Sequence, residues 1–322
     1  MKNILMMASS LTLALGGIAA PKEANETTTQ TDIDVYFIAG QSNAAGTSRL
    51  KTLDDKYKVE YPNVLFYNGG DGVLSEQNKW TYVRPGLGTQ AIVENGETVE
   101  MFGPELGMAR VLSNKNKKIA FIKYAYGGTA IFQHDQLNNT ETNKDNWHGP
   151  WDGATSGRLY NGFLSTAKNG LASLKEKGYN PIIKGVTWMQ GETDGEIQFN
   201  KDKYNAADVY EHNLTELFKC FRSELTTISG TDQSAMPIVF GEVYEYSIAF
   251  CEARKIVEAQ ANVGKLPNNY LINTGDLIIS TKVDGWHWPG NQELQLGVRF
   301  GEKYYELSHS LTYTPYSDGY QE

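Results

Sequence analysis

The chain has 322 residues, 40% hydrophobic and 21% charged, enough to bury one large core without a metal or disulfide staple. Its formal net charge of −9, with no Lys/Arg-rich block, offers no basic surface for phosphates and argues against nucleic acid as a partner. An anionic polymer is disfavoured on the same ground, although a local pocket can still accept an acid.

Residues 1–20 read as an export signal: Lys2 and Asn3, then an apolar run from Ile4 to Ala20 that ends in small residues. The run is short for a membrane span and is interrupted by Ser9, Ser10 and Thr12, so a cleaved leader and a secreted or periplasmic product are expected. No cysteine stands at the cleavage site, so no lipid anchor is expected there. Residues 21–31 are polar and read as a disordered leader, and 32–322 as a single domain.

Asp34 to Ala39 is an apolar, β-branched and aromatic run that stops at Gly40 and continues as Gln41-Ser42-Asn43-Ala44-Ala45-Gly46. A strand that ends this way delivers Ser42 to the top of a sheet, beside the backbone N–H groups of a helix start, where developing negative charge is stabilised. Helix capping is the commoner use of such a serine. Asn63 to Tyr67 is a second strand, Trp80 to Gln90 reads as loop, and Pro104-Glu105 opens a helix. Lys118 to Tyr124 has the continuous apolar character of a strand buried on both faces and leads into Gly127-Gly128-Thr129. Residues 130–158 form a long, polar, aromatic-rich insertion of the kind that is functional or disordered. A helix over 160–177 and a strand over 181–189 follow, the strand ending in Gln190-Gly191-Glu192-Thr193-Asp194. Tyr210, Leu214, Leu217, Phe221 and Leu225 make one helical stripe. A strand over 237–243, a helix over 247–263, a short strand over 269–273, a loop over 274–289 and a last helix over 291–307 complete the chain.

Apolar strands alternating with helices predict an α/β fold with a parallel sheet covered on both faces, and its active site at the carboxyl ends of the strands. Four unusual motifs fall there. Ester hydrolysis by a serine needs a base, an acid to orient the base, and oxyanion donors. Asp284 and His287 lie three residues apart in the last loop, so the carboxylate can reach one ring nitrogen while the other faces Ser42. The candidate donors are the N–H of Ser42, the N–H of Gly127 or Gly128, and the side-chain amide of Gln190. Taken singly, each is equally an ordinary loop residue.

Gly40-Gln41-Ser42-Asn43, Phe102-Gly103-Pro104-Glu105, Gly127-Gly128-Thr129, Gln190-Gly191-Glu192-Thr193-Asp194 and Asp284-x-x-His287 together resemble the SGNH (GDSL-like) hydrolases of the sialate O-acetylesterase and carbohydrate esterase family 6 type. The resemblance spans roughly residues 33 to 306. It implies a flavodoxin-like α/β/α three-layer fold (the SGNH hydrolase fold) and hydrolysis of O-acetyl groups on carbohydrate. It further implies Ser42 as nucleophile, His287 as general base, Asp284 as its orienting acid, and Gly127 or Gly128 with Gln190 as oxyanion donors, Gln190 standing where many relatives carry asparagine. Gln41, Asn43, Glu192 and Asp194 are expected to brace the site.

Trp147, Trp151, Trp286 and Trp288 flank these motifs, and their flat faces suit a sugar-binding wall or, equally, packing of the long loop; Trp188 reads as core. No Gly-x-Ser-x-Gly elbow, Walker sequence or Gly-x-Gly-x-x-Gly is present, and His134, His148, His212, His287 and His309 show no paired metal-ligand spacing, so no cofactor is expected. Cys220 and Cys251 either pair or stay free thiols; closing that loop is worth roughly 3 to 4 kcal/mol. Acetylxylan or another plant polysaccharide and O-acetyl sialic acid both remain open as substrate. The competing reading is a secreted carbohydrate-binding protein that keeps the fold without turnover.

Overall fold

The computed structural model describes residues 30–89, 93–94, 96–132, 147, 149, 157–196, 206–246, 250–279 and 286–309. The expected export signal, most of the leader, Asp284 and Trp151 lie outside them.

In chain order the main elements are β1 (Thr31–Gly40), α1 (Ser42–Ala45), β2 (Tyr61–Asn68), β3 (Trp80–Val83), α2 (Pro104–Leu112), β4 (Ile119–Ala125), α3 (Arg158–Glu176), β5 (Tyr179–Met189), α4 (Ala206–Ser229), β6 (Ile238–Gly241), α5 (Ala253–Val263), β7 (Asn269–Ile272) and α6 (Gly290–His309). One seven-stranded sheet carries them in the order β7-β6-β5-β1-β4-β2-β3. Every neighbouring pair is parallel except β2 and β3. The α/β fold with a flanked, mostly parallel sheet agrees with the sequence reading, with two corrections. Trp80–Val83, read as loop, is an antiparallel edge strand on β2: three half-buried residues and the buried Val83 give too short a run for periodicity to register. The first strand also starts earlier than expected, taking Thr31 from the end of the polar leader.

β1 is central because Val35 to Ala39 are all apolar and buried and the strand has partners on both sides. Its register runs Asp34 to Gly40 against Ile119 to Ala125 of β4, and Thr31 to Gly40 against Tyr179 to Met189 of β5. Successive side chains point to opposite faces. Tyr36 meets Tyr304 of α6 edge-on at 4.9 Å, whereas Phe37 meets Phe163 of α3 at 5.7 Å. These two contacts mark the two helical layers, α2 with α6 on one face and α3, α4 and α5 on the other.

The α2–α6 layer is unusually close. A Cβ on Gly107 would stand 2.2 Å from the Leu294 carbonyl oxygen, and one on Gly297 would stand 2.2 Å from that of Pro104, so only glycine lets the two backbones touch. Between this layer and the sheet lies an ion pair that no hydropathy pattern announces: Lys123 Nζ of β4 sits 2.7 Å from Glu105 Oε2 of α2, both side chains fully buried. Glu105 Oε1 also accepts from the Gly103 N–H at 3.0 Å, satisfying a donor at the helix start.

Cys220 and Cys251 are free thiols. The Cys251 Sγ points at the Gly195 carbonyl at 3.7 Å.

Candidate active site

The turn after β1 is fixed by backbone shape. Gly40 has φ +134°, and a Cβ there would fall 2.0 Å from the Met189 carbonyl oxygen; the next residue, Gln41, donates its N–H to that oxygen at 2.9 Å. The chain then coils at once into α1, whose carbonyl turns close on Gln41 and Ser42: Ala44 and Ala45 donate to the Gln41 carbonyl, and Gly46, at φ +94°, donates to that of Ser42. Ser42 is the first residue of this turn, so its own N–H has no helical acceptor and is available to an oxyanion. Only 8% of Ser42 is exposed, at the floor of a cavity.

That cavity has a volume of about 450 Å³ and is bounded by Ser42, Gly127, Gly128 and His287 together with Gln41, Asp71 and Glu192. Each of these comes from the carboxyl end of a strand: Gln41 and Ser42 after β1, Asp71 after β2, the glycines after β4, Glu192 after β5, and His287 in the loop between β7 and α6. Residues separated by more than 240 positions are thereby brought to one place. Phe250 and Trp286 form the rim, their rings 5.8 Å apart, with Trp286 45% exposed.

The bracing residues knit the strand ends together. Asn43 donates through Nδ2 to Glu192 Oε1 at 2.7 Å. Burial raises the Glu192 carboxyl above its ordinary range, against the Asn43 amide and the charge of the neighbouring His287, which favour the anion. Gln41 Oε1 accepts the N–H groups of Gly191 and Thr193 at 3.4 and 3.3 Å, tying the first motif to the fourth. Asp194 accepts the N–H of Ile131 and of Phe132, each at 3.0 Å, so it holds the start of the long insertion to the turn after β5. Burial pushes the Asp194 carboxyl up to about 7 even though these N–H donors favour its anion.

One expectation needs correction, and two alternatives left open are decided for packing. Gln190 does not face the cavity. It is fully buried, its Nε2 donates to Asp194 Oδ2 at 2.6 Å and to the Thr129 carbonyl at 3.0 Å, and the Tyr210 hydroxyl lies 3.2 Å from its Oε1. With both protons engaged it is a structural amide, and no oxyanion is within its hydrogen-bonding capacity. Trp147 is not a substrate wall: it is fully buried, donates through Nε1 to Thr129 Oγ1 at 3.2 Å, and packs edge-on against Trp188 at 5.0 Å. Trp288 is likewise internal, with Nε1 donating to the Leu277 carbonyl at 2.9 Å.

The two glycines differ. The Gly127 N–H donates to Asp71 Oδ2 at 3.1 Å, so a carboxylate already occupies this donor. Gly128, at φ +66°, has open space where a Cβ would be. Asp71 carries no signal of a site in the sequence; its Gly69-Gly70-Asp71-Gly72 setting reads as a plain turn, and only the packing of β2 beside β4 brings it to the glycines. Among the described residues no group of three or more His, Cys, Asp or Glu side chains is arranged to hold a metal ion.

A family model described as carbohydrate esterase, sialic acid-specific acetylesterase, matches residues 32–306. No curated protein sequence matches the chain. Among solved structures, a protein from Arabidopsis thaliana is similar with a TM-score of 0.61 at 19% identity, over 86% of this chain and 99% of that one. NanS gives a TM-score of 0.61 at 16% identity, over 88% and 99%. A carbohydrate acetylesterase from Xanthomonas citri gives 0.57 at 16% identity, over 87% of this chain and 57% of its own. At these identities the structural likeness speaks for the fold, and the family match speaks for the chemistry.

Proposed function

Since the chain belongs to the carbohydrate esterase, sialic acid-specific acetylesterase family, a family of carboxylic ester hydrolases, we propose that it removes O-acetyl groups from carbohydrate through an acetyl-serine formed on Ser42. The observation that carries this reading is the shared cavity: Ser42, His287 and the glycine pair 127–128 bound one space at the carboxyl edge of the sheet.

In the first half-reaction Ser42 Oγ attacks the acetyl carbonyl carbon while the His287 imidazole takes the hydroxyl proton. The carbonyl oxygen becomes an oxyanion facing the Ser42 N–H and Gly128, where a preset donor stabilises it without reorganisation, while the Gly127 N–H is held by Asp71. As the intermediate collapses, the C–O bond to the sugar breaks and His287 returns the proton to the departing sugar oxygen. In the second half-reaction water gives its proton to His287 and attacks the acetyl-serine, and acetate leaves with Ser42 restored. Asp284 is proposed to orient the imidazole. The buried Glu192 is a second carboxyl group near the same ring.

The rim aromatics Phe250 and Trp286 suit the C–H face of a sugar, and acetylated xylan, another plant polysaccharide or O-acetyl sialic acid fits this chemistry. Export rests on the residue 1–20 pattern. Acetate release should be followed on acetylated xylan, mannan, pectin and sialoglycans, and on 4-nitrophenyl acetate. Ser42→Ala is expected to lower turnover on the order of 10⁴-fold or more. Undiminished release by that variant contradicts the serine-esterase reading, and absence of release from every substrate favours a binding protein instead.

A further inference from the structure

The mechanism leaves one enclosed acid unused: Glu293, in the first turn of α6 and 1% exposed. It lies within electrostatic reach of Glu105 of α2, Lys123 of β4 and Glu192 in the turn after β5, and Glu192 in turn feels His287 and Glu196. The close backbone contacts of Gly107 with Leu294 and of Gly297 with Pro104 hold Glu293 at this depth. Lys123 is the cation that faces it, and Glu105 already engages that cation at 2.7 Å. An ionised Glu293 would thus stand enclosed beside two further carboxyl groups without a counter-charge of its own. The start of α6 favours an anion, but by less than enclosure opposes it. Hydrogen bonding points the same way. Both oxygens of Glu293, Oε2 of Glu192 and Oδ1 of Asn43 are enclosed and lack a partner among the described residues. All four are acceptors when the acids are ionised, so this group of side chains is short of donors. One proton on Glu293 removes its charge and supplies a donor. Burial pushes the Glu293 carboxyl well above the ordinary carboxylate range, in keeping with both deficits.

We propose that Glu293 is a positioning residue: as a neutral carboxylic acid it carries the proton of a buried carboxyl pair with Glu192 and donates it in a hydrogen bond to Glu192. The assignment rests on the serine-esterase reading above. Glu192 bounds the cavity, and its Oε1 holds Asn43, the residue after Ser42. With Oε2 held from the other side by Glu293, the Glu192 carboxyl is fixed at both oxygens, and the turn that carries Ser42 is fixed with it. One shared proton spares the pair the repulsion of two neighbouring anions, so the two groups titrate as a unit. Glu293 thereby reaches the nucleophile through two side chains, without touching substrate.

The proton and its use are tested separately. In infrared spectra at neutral pH, the difference between the parent and Glu293→Gln should contain the carbonyl stretch of a protonated carboxylic acid, a band that a carboxylate lacks. Carboxylate bands alone in that difference would overturn the assignment. For the use of the proton, Glu293→Gln keeps a neutral donor, whereas Glu293→Met fills a similar volume without one. With 4-nitrophenyl acetate, Glu293→Met should lower kcat about 10-fold or more, with KM within about three-fold of the parent. Glu293→Gln should recover kcat to within about three-fold of the parent. A Glu293 that only fills space gives Met and Gln the same kcat, and one that acts as an anion leaves Gln as slow as Met; either result overturns the assignment. Should Glu293→Met fail to fold, Glu293→Gln carries the test together with the infrared band: kcat within about three-fold of the parent supports the assignment, and a larger loss overturns it. Ser42→Ala assayed alongside keeps the two claims apart: its full activity rejects the esterase reading, while the infrared band, which needs no turnover, still decides whether Glu293 holds the proton.

Discussion

The turn after β1 and the aromatic pair Phe250 and Trp286 line one cavity and are built on opposite principles. The turn is locked by backbone: a glycine at φ +134°, carbonyls closed by N–H groups, and side chains tied to the next motif. The rim is made of side chains, with Trp286 nearly half exposed and leaning on Phe250. The contrast separates chemistry from choice of substrate. Attack on an acetyl group requires atoms held to a fraction of an ångström, which rigid strand ends supply, whereas recognition of different sugars tolerates an adaptable wall.

The contrast is broken most severely at Gly40. Gly40→Ala places a methyl group 2.0 Å from the Met189 oxygen at a φ that side chains avoid, and a loss on the order of 4 kcal/mol or more is expected in urea unfolding. An unchanged midpoint would mean that the turn is not locked as described. A smaller effect is expected at Asp194, which holds the turn after β5. Its folded pKa of about 7 lies above the ordinary 3.8. The raised value means that the folded chain holds the proton more tightly, so this contribution is complete below about pH 4 and fades as pH rises through about 7. Asp194→Asn should flatten the fall in Tm across that window, and an identical slope in parent and variant would contradict it. The smallest effect belongs to the rim. Trp286→Ala should raise KM for an acetylated oligosaccharide about three- to ten-fold, with a lesser change for 4-nitrophenyl acetate. Equal changes for the two substrates would remove Trp286 from sugar recognition.

The strand-to-turn motifs are legible in sequence because each combines an apolar run with glycine and small polar residues, a pattern set by local backbone chemistry. Ser42, the glycine pair and His287 can thus be placed at one edge of the sheet, where the structure finds them. Which way a side chain faces once it is there cannot be read. Gln41 and Gln190 both end strands and both adjoin glycine, yet one bounds the cavity and the other is enclosed by Asp194, Thr129 and Tyr210, residues distributed over some 80 positions. Trp147 misleads for a related reason: a tryptophan in a polar insertion looks like a surface aromatic, and only the fold reveals that it plugs the core beside Trp188. The buried Lys123–Glu105 pair lies beyond sequence reasoning because each charge looks solvated until its partner is known.

The central claim is a covalent acetyl group on Ser42. Turnover of an activated acetyl ester should be quenched in acid within the first cycle and the peptides weighed. An acetyl increment on the peptide carrying Ser42, absent from Ser42→Ala, is the predicted result. Acetate released while that peptide stays unmodified, or an acetyl group lodged on another residue of the cavity, would contradict the account.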